Sequence, residues 1–342
     1  MTALKSAKIC YLLAFPDPAG TAAEPATPIR GLKDAPYFQA VDITVRTLGQ
    51  AEVEAGGVGI SVTRQKYDER IQMVDCRFTL SNVLSAEANQ QREAIQKALT
   101  GMLVPREHQE SGLYEEYVIL LVQENNVLPD EFLKKNAAAL ARFIRSQREV
   151  FDKKQMDEIL SSRVRYSKND LTLVDWEGAV VIAVEGDYQS DIELLKVGNY
   201  QLLRYRMVDQ TLDSSLRLIN EQFRANPRLF LPGPTRGQIR RIVQLRLDMM
   251  LDFEHTEQNL LLIGDWYTAQ LYHAIRDEFY LEEWKRSIKD KLDNLEDIIT
   301  TIQENFSLTW MGLLERVELI GWIVLLILYF VLFYFQEIVH KP

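Results

Sequence analysis

Few places in this chain combine residue types and spacings that could do chemistry. Asp248, Asp252 and His255 fall at i, i+4 and i+7, so a helix carrying them places all three on one face. Carboxylates with a histidine are the donor set of a di-iron bundle, but such a bundle takes a Glu-x-x-His pair from each of two helices and further carboxylates from others. Here Asp252-x-x-His255 stands alone, with Glu254 and Glu257 on other faces, so a solvated helix face is the better reading and no metal is expected. His273 and Asp277 form a similar lone i,i+4 pair. Arg236, Arg240 and Arg241 open a helix directly after Phe-Leu-Pro-Gly-Pro-Thr. That places a basic cluster where a helix N-terminus could meet an anion or a lipid headgroup. Pairing with local carboxylates is the alternative in an acidic chain.

Other motifs fall away on inspection. Gly56-Gly57-Val58-Gly59 lacks the Lys-Ser/Thr and the helix of a phosphate loop, and reads as a tight turn. No Gly-x-Ser-x-Gly occurs, and His108 sits in an acidic loop without a recognisable nucleophile. Cys10 and Cys76 lie in apolar, strand-like stretches and read as buried thiols, not as a zinc site or a disulfide. Asn305-Phe306-Ser307 is a sequon that a cytosolic location would leave unused. No catalytic residue, cofactor or metal is expected, and the chain reads as non-enzymatic. A net charge of -10 argues against a nucleic-acid partner, since displacing counterions from phosphates needs a basic surface.

The elements that would position these residues divide the chain. Hydrophobic residues at 47% and charged residues at 26% allow a real core. Residues 1–186 read as a cytosolic α+β domain, a mixed arrangement of strands and helices. Its first strand is Lys8 to Phe15, and a Pro- and Ala-rich loop covers 16–36. Strands are expected at Val41 to Leu48, Ile60 to Thr63, Met73 to Leu80 and Glu116 to Val122, and a strand group at Arg163 to Glu185. A helix follows Pro129-Asp130-Glu131, since proline and carboxylates suit a first turn. Residues 187–280 read as a helical segment, 281–316 as an amphipathic stalk helix and 317–339 as one C-terminal transmembrane helix.

Leu319 to Phe335 carries no charge, and about 20 such residues cross a bilayer. Trp322, Tyr329 and Tyr334 would act as interfacial anchors. Before the span, Leu281, Ile288, Leu295 and Ile302 recur at heptad spacing, Trp284 and Ile298 extend the seam, and Leu292, Ile299 and Phe306 widen it. Three apolar positions per heptad suit a bundle face better than a strict coiled-coil seam. A homo-oligomer packed through the stalk is the expectation. With no evident signal sequence, the N-terminal domain is placed in the cytosol, in a bacterial inner membrane or a eukaryotic organelle membrane.

The order of elements carries a resemblance. The Glu116 to Val122 strand, the Pro129-Asp130-Glu131 helix start and the Ser167-to-Leu173 turn-strand come first. Gly264-Asp265-Trp266-Tyr267, Lys291-Leu292-Asp293-Asn294-Leu295 and Leu314-Glu315 follow. This order resembles the membrane-protein family named for "required for meiotic nuclear division", over about residues 116–335. The family's Asp-x-Pro-x-Phe-Trp region is echoed by Asp265-Trp266. The resemblance implies an α+β domain, a helical pair and one C-terminal span, with no catalytic residues to carry over. The architecture is also similar to CorA-type channels. Those have two spans and a Gly-Met-Asn signature, where this chain has one span and Met311-Gly312. The reading at this level is a tail-anchored, non-enzymatic scaffold or sensor whose cytosolic domain binds a protein partner or small ligand. The alternative is an oligomeric pore, either a CorA-like channel or a membrane-disrupting effector.

Overall fold

Strand β1 (Ser6–Pro16) is buried on both faces from Ile9 to Phe15, which fixes it as an inner strand. In a computed structural model describing residues 4–17, 27–29, 41–123, 128–146, 151–183, 186–225, 244, 247, 250–251 and 266–339, β1 lies in the middle of a nine-stranded sheet. The others are β2 (Thr27–Ile29), β3 (Val41–Ala55), β4 (Val58–Tyr67), β5 (Ile71–Ser81), β6 (Glu115–Val122), β7 (Arg163–Val164), β8 (Asp170–Val174) and β9 (Gly178–Ala183). Their order is β2-β3-β4-β5-β1-β6-β9-β8-β7. Neighbours are antiparallel except β6 and β9, which run parallel.

Local chemistry sets the connections. Gly56 and Gly57 take φ of +59° and +73° between β3 and β4, as a two-residue hairpin with the twist of its strands requires. The glycine run is therefore a hairpin turn. Helix α1 (Ala86–Leu103) starts at Ser85, whose Oγ accepts from the Ala88 amide at 3.1 Å. A short α2 (Arg106–Ser111) leads into β6. Helix α3 (Pro129–Arg145) has Pro129, Asp130 and Glu131 in its first turn and Arg142 and Arg145 in its last, as the macrodipole favours. Helix α4 (Lys153–Ile159) opens on a capping box between Asp152 and Gln155.

Alternation along the strands divides the core. Ile9, Tyr11, Leu13 and Phe15 of β1, with Val74, Cys76 and Phe78 of β5 and Val118, Leu120 and Val122 of β6, form one apolar cluster with Ile95 and Leu99 of α1 and Phe132, Leu140, Phe143 and Ile144 of α3. Each such large apolar side chain contributes roughly 1.5–3 kcal/mol when fully buried. The other face carries Cys10, Asp75 and Thr172 and receives α5 (Gln189–Ala225), whose Lys196 reaches Asp75 and whose Asp191 meets Thr172. Helix α6 (Trp266–Glu278) packs on β7 and β8. Gly198 of α5 lets α6 approach closely, since a Cβ there would lie 2.3 Å from Ile275 Cγ2.

The chain separates into two compact units, Met1–Asp213 with Leu251–Ile288 and Ser214–Met250 with Lys289–Pro342. Helix α7 (Leu281–Val339) begins in the first and continues in the second. Along it Leu281, Ile288, Leu292 and Leu295 are buried, and Trp284 and Ile298 are half-buried. The side chains of Ile299, Ile302 and Phe306 lie outside the described residues.

The expected C-terminal transmembrane helix is corrected by the structure. Among the described residues no helix is long and apolar enough to cross a membrane. Val317 to Leu332 holds a run of exposed large hydrophobics, with Trp322 at 68% and Tyr329 at 65% exposure. Tyr334 lies outside the described side chains. Tail anchoring, a pore and a single-pass membrane location with a cytosolic N-terminal domain rested on that span, and they are withdrawn with it.

Candidate ligand-binding cleft

Adjacent residues of a strand point to opposite faces, and at the start of β6 this separates two carboxylates. Glu116 pairs with Leu13 and Glu115 with Ala14 of β1. Glu116 therefore shares the α1 face with Tyr11, whose hydroxyl donates to Glu116 Oε2 at 2.5 Å and lies 2.9 Å from Thr100 Oγ1. Glu115 faces α5 and is paired with Arg206 there. The Arg206 guanidinium also donates to the carbonyls of Tyr114 at 3.0 Å and Gly112 at 2.6 Å.

The turn between β8 and β9 supplies the next wall. Gly178 sits so close to β6 that a Cβ would lie 2.8 Å from the Val118 carbonyl oxygen. That tight crossing brings Trp176 and Glu177 beside β6. The Trp176 indole is 38% exposed and packs against Phe279 and Tyr280, with centroids at 6.2 and 5.7 Å. Tyr117 donates to the Asp175 carbonyl at 2.9 Å and stacks edge-on with Phe279 at 5.2 Å.

Together these groups enclose a cavity of about 910 Å³, which α1 closes with Glu93, Lys97 and Thr100. Four carboxylates (Glu93, Glu115, Glu116, Glu177) line it against two cations (Lys97, Arg206), and so do the aromatic rings of Tyr11, Tyr114, Tyr117, Trp176 and Phe279. Burial raises the Glu115 pKa against the opposing pull of Arg206. Burial also raises Glu177, where Asp175 and Glu116 add repulsion and Arg145 offsets part of it. The Glu177 carboxylate has no hydrogen-bond partner among the described residues. Burial and the Glu116 charge push the Tyr11 hydroxyl well above its ordinary range, so it remains a donor. Asp175 is held by Arg145, whose Nη2 donates to Oδ1 at 2.8 Å, while the 2.7 Å contact of Nε with Oδ2 is not aligned as a hydrogen bond.

A second polar assembly lies under α5. Lys196, 2% exposed, places Nζ 3.0 Å from Asp75 Oδ2, 3.0 Å from Glu193 Oε1 and 3.3 Å from Gln65 Oε1. Asp75 also accepts from Arg77 Nη2 at 2.8 Å and from Cys10 Sγ at 3.2 Å. Burial works to raise the Asp75 pKa, but Arg77 and Lys196 outweigh it and hold the carboxyl at about 2. Burial works against the Lys196 charge, and Asp75 and Glu193 outweigh that in turn, so its pKa is raised.

The residues singled out from sequence fall elsewhere. Asp248, Asp252, Glu254, His255 and Glu257 lie outside the described residues, as do Arg236, Arg240 and Arg241. His273 and Asp277 are exposed on α6, with Asp277 beside Arg276 at 3.4 Å. His108 stacks on Phe15 with centroids 6.1 Å apart. Cys10 and Cys76 are free and fully buried, and burial pushes the Cys76 thiol up to about 12. Among the described residues no group of three metal-ligating side chains comes together. Sequence reasoning missed Glu115, Glu116, Glu177, Arg206, Asp75 and Lys196. The available signal was a charged pair at the mouth of an apolar strand, which only the cross-strand register makes informative.

An open mixed sheet with α5 and α6 on one face and α1 and α3 on the other, and an acidic, aromatic cleft at one end, defines the class of domain. A family model described as "Uncharacterized protein MJ0711, N-terminal domain" matches residues 43–189, which hold Glu115, Glu116 and Glu177 but not Tyr11 or Arg206. The chain is similar to "Uncharacterized protein MJ0711" of Methanocaldococcus jannaschii, 27% identical over 207 residues, which is 58% of this chain. It spans 60% of the length of that curated relative. No solved structure matches.

Proposed function

We propose that this chain is a non-catalytic binding protein and that the β6 cleft takes a small organic cation, a primary amine or a guanidinium compound. The observation that carries the reading is Glu177. It is a half-buried carboxylate with a raised pKa, beside the open face of Trp176, with no hydrogen-bond donor of its own among the described residues. Glu177 and Glu116 repel one another, and Arg206 is already committed to Glu115 and two carbonyls. A bound cation relieves that repulsion and gains a cation–π contact worth about 0.5–2 kcal/mol. The volume of about 910 Å³ lies in the range of small-molecule sites.

Calorimetric titration of the full chain with spermidine, methylguanidine and choline, with acetate as control, tests this. Binding of at least one cation is expected, weakened about tenfold when Glu116→Gln and Glu177→Gln are combined. Equal binding by the variant, or no cation binding by the natural chain, would sink the proposal.

A further inference from the structure

We infer a second binding site, for the phosphate group of a small phosphorylated polyol, at the opposite end of the sheet from the β6 cleft. Its base follows from register. Arg77 of β5 pairs with Cys10 of β1 and Ser61 of β4, and Lys8 of β1 pairs with Thr79 of β5 and Leu121 of β6. Lys8 lies two residues from Cys10, so Lys8 and Arg77 share a face and are diagonal neighbours on adjacent strands, within reach of one small anion. The hydroxyls of Ser61 and Thr79 flank them.

The two cations line a cavity of about 540 Å³ together with Glu52, Gln123 and Asp187. Arg77 is aimed before any ligand arrives. Its Nε and Nη2 are gripped by the buried Asp75 carboxylate at 3.0 and 2.8 Å, and its Nη1 makes no hydrogen bond among the described residues. A guanidinium held this way presents its remaining donors at little entropic cost. The wall after β9 is also built closely. Gly186 takes φ +74°, and a Cβ there would lie 3.1 Å from the Gln123 side-chain amide. The position lies at the carboxyl ends of β6 and β9, the parallel pair of the sheet, where open α/β sheets bind ligands. Glu52 and Asp187 disfavour a highly charged polyanion and suit a ligand whose hydroxyls donate to carboxylates. Those preferences together describe a phosphomonoester on a hydroxylated body.

Full-length protein is titrated with ribose 5-phosphate, inorganic phosphate and ribose, read by calorimetry. Binding is expected in the order ribose 5-phosphate, phosphate, ribose. Lys8 is exposed, so Lys8→Ala leaves the fold intact and should weaken the phosphomonoester about tenfold. Arg77→Lys, which keeps a charge beside Asp75, should weaken it as well. Glu116→Gln with Glu177→Gln at the other cleft should leave it unchanged. No binding of ribose 5-phosphate, binding indifferent to Lys8→Ala, or ribose bound as tightly as its phosphate would each overturn the inference.

Discussion

Replacing Lys196 with Met deletes the ammonium beneath α5 and leaves its carboxylate partners where they are. Nζ lies 3.0 Å from both Asp75 and Glu193, and the side chains of Lys196 and Asp75 are each 3% exposed. Breaking a buried pair costs about 3–5 kcal/mol, because the surviving charge stays desolvated. Arg77 still grips Asp75, so the expected loss sits near 3 kcal/mol. Hydrogen exchange of β1 and β5 amides reads this locally, and 3 kcal/mol corresponds to about 100-fold faster exchange. Asp75→Asn combined with Lys196→Met removes both charges and should cost at least about 1 kcal/mol less than the two single changes summed. The pH dependence has a definite sign. Asp75 falls from an ordinary 3.8 to about 2, worth about 2–3 kcal/mol. That contribution is complete above pH 3.8 and is lost as pH falls through about 2. Lys196 is raised above 10.5, so its contribution is complete below that pH and lost as pH rises through the folded value. A single Lys196→Met cost under about 1 kcal/mol, or strict additivity with Asp75→Asn, refutes the buried-pair account.

Two further outcomes follow from the geometry. Gly198→Ala places a Cβ 2.3 Å from Ile275 Cγ2 and 3.2 Å from Phe279 Cε2, so it should cost about 1–3 kcal/mol as a lowered Tm. In the acidic cleft, burial raises Glu115 and Glu177, so both take up protons at a higher pH than ordinary glutamates. Cation affinity should therefore fall as the solution is acidified through those raised values, while chain stability rises over the same window, down to the ordinary 4.5. Calorimetry and thermal melts in a common pH series check both signs, and a cation affinity that holds or grows on acidification contradicts the assignment.

Local signals located the elements whose chemistry is local. Glu115–Val122 is a strand because its apolar run exceeds what a surface segment can expose, and α3 starts at Pro129 because proline and two carboxylates suit a first turn. Helix α5 begins at Gln189, at the start of the helical segment expected over 187–280. Its opening turns bury Asp191 and Lys196 against polar partners on the sheet beside the apolar Ile192, Leu194, Leu195 and Val197, and apolar spacing does not flag that polar pair. The cleft was illegible for a related reason. Glu115 and Glu116 read as a solvated strand start, and only pairing with Ala14 and Leu13 sends one toward α5 and the other toward α1. The apolar run from Leu319 onward suggested a span, whereas among the described residues no helix is long and apolar enough to cross a membrane.

Helix α5 buries apolar side chains such as Ile192, Leu195, Leu202 and Leu203, and polar matches set its register over the sheet. Asp191 accepts from Thr172, Lys196 pairs with Asp75, Tyr200 donates to Asp68 and Arg206 pairs with Glu115. An apolar interface tolerates sliding by a fraction of a turn, whereas each of these pairs is lost when the helix shifts by one residue, since one residue is 1.5 Å of rise and a 100° rotation. The same helix contributes Arg206 to the acidic cleft and Gln189 and Ile192 to the cavity beside Arg77. A change at Lys196 therefore acts on the walls of both sites without touching a lining residue. Lys196→Met should weaken the cation and the phosphomonoester together, whereas Lys8→Ala and Glu177→Gln should each weaken one alone. If Lys196→Met lowers stability yet leaves both affinities unchanged, the polar matches hold the fold together but do not set the position of α5.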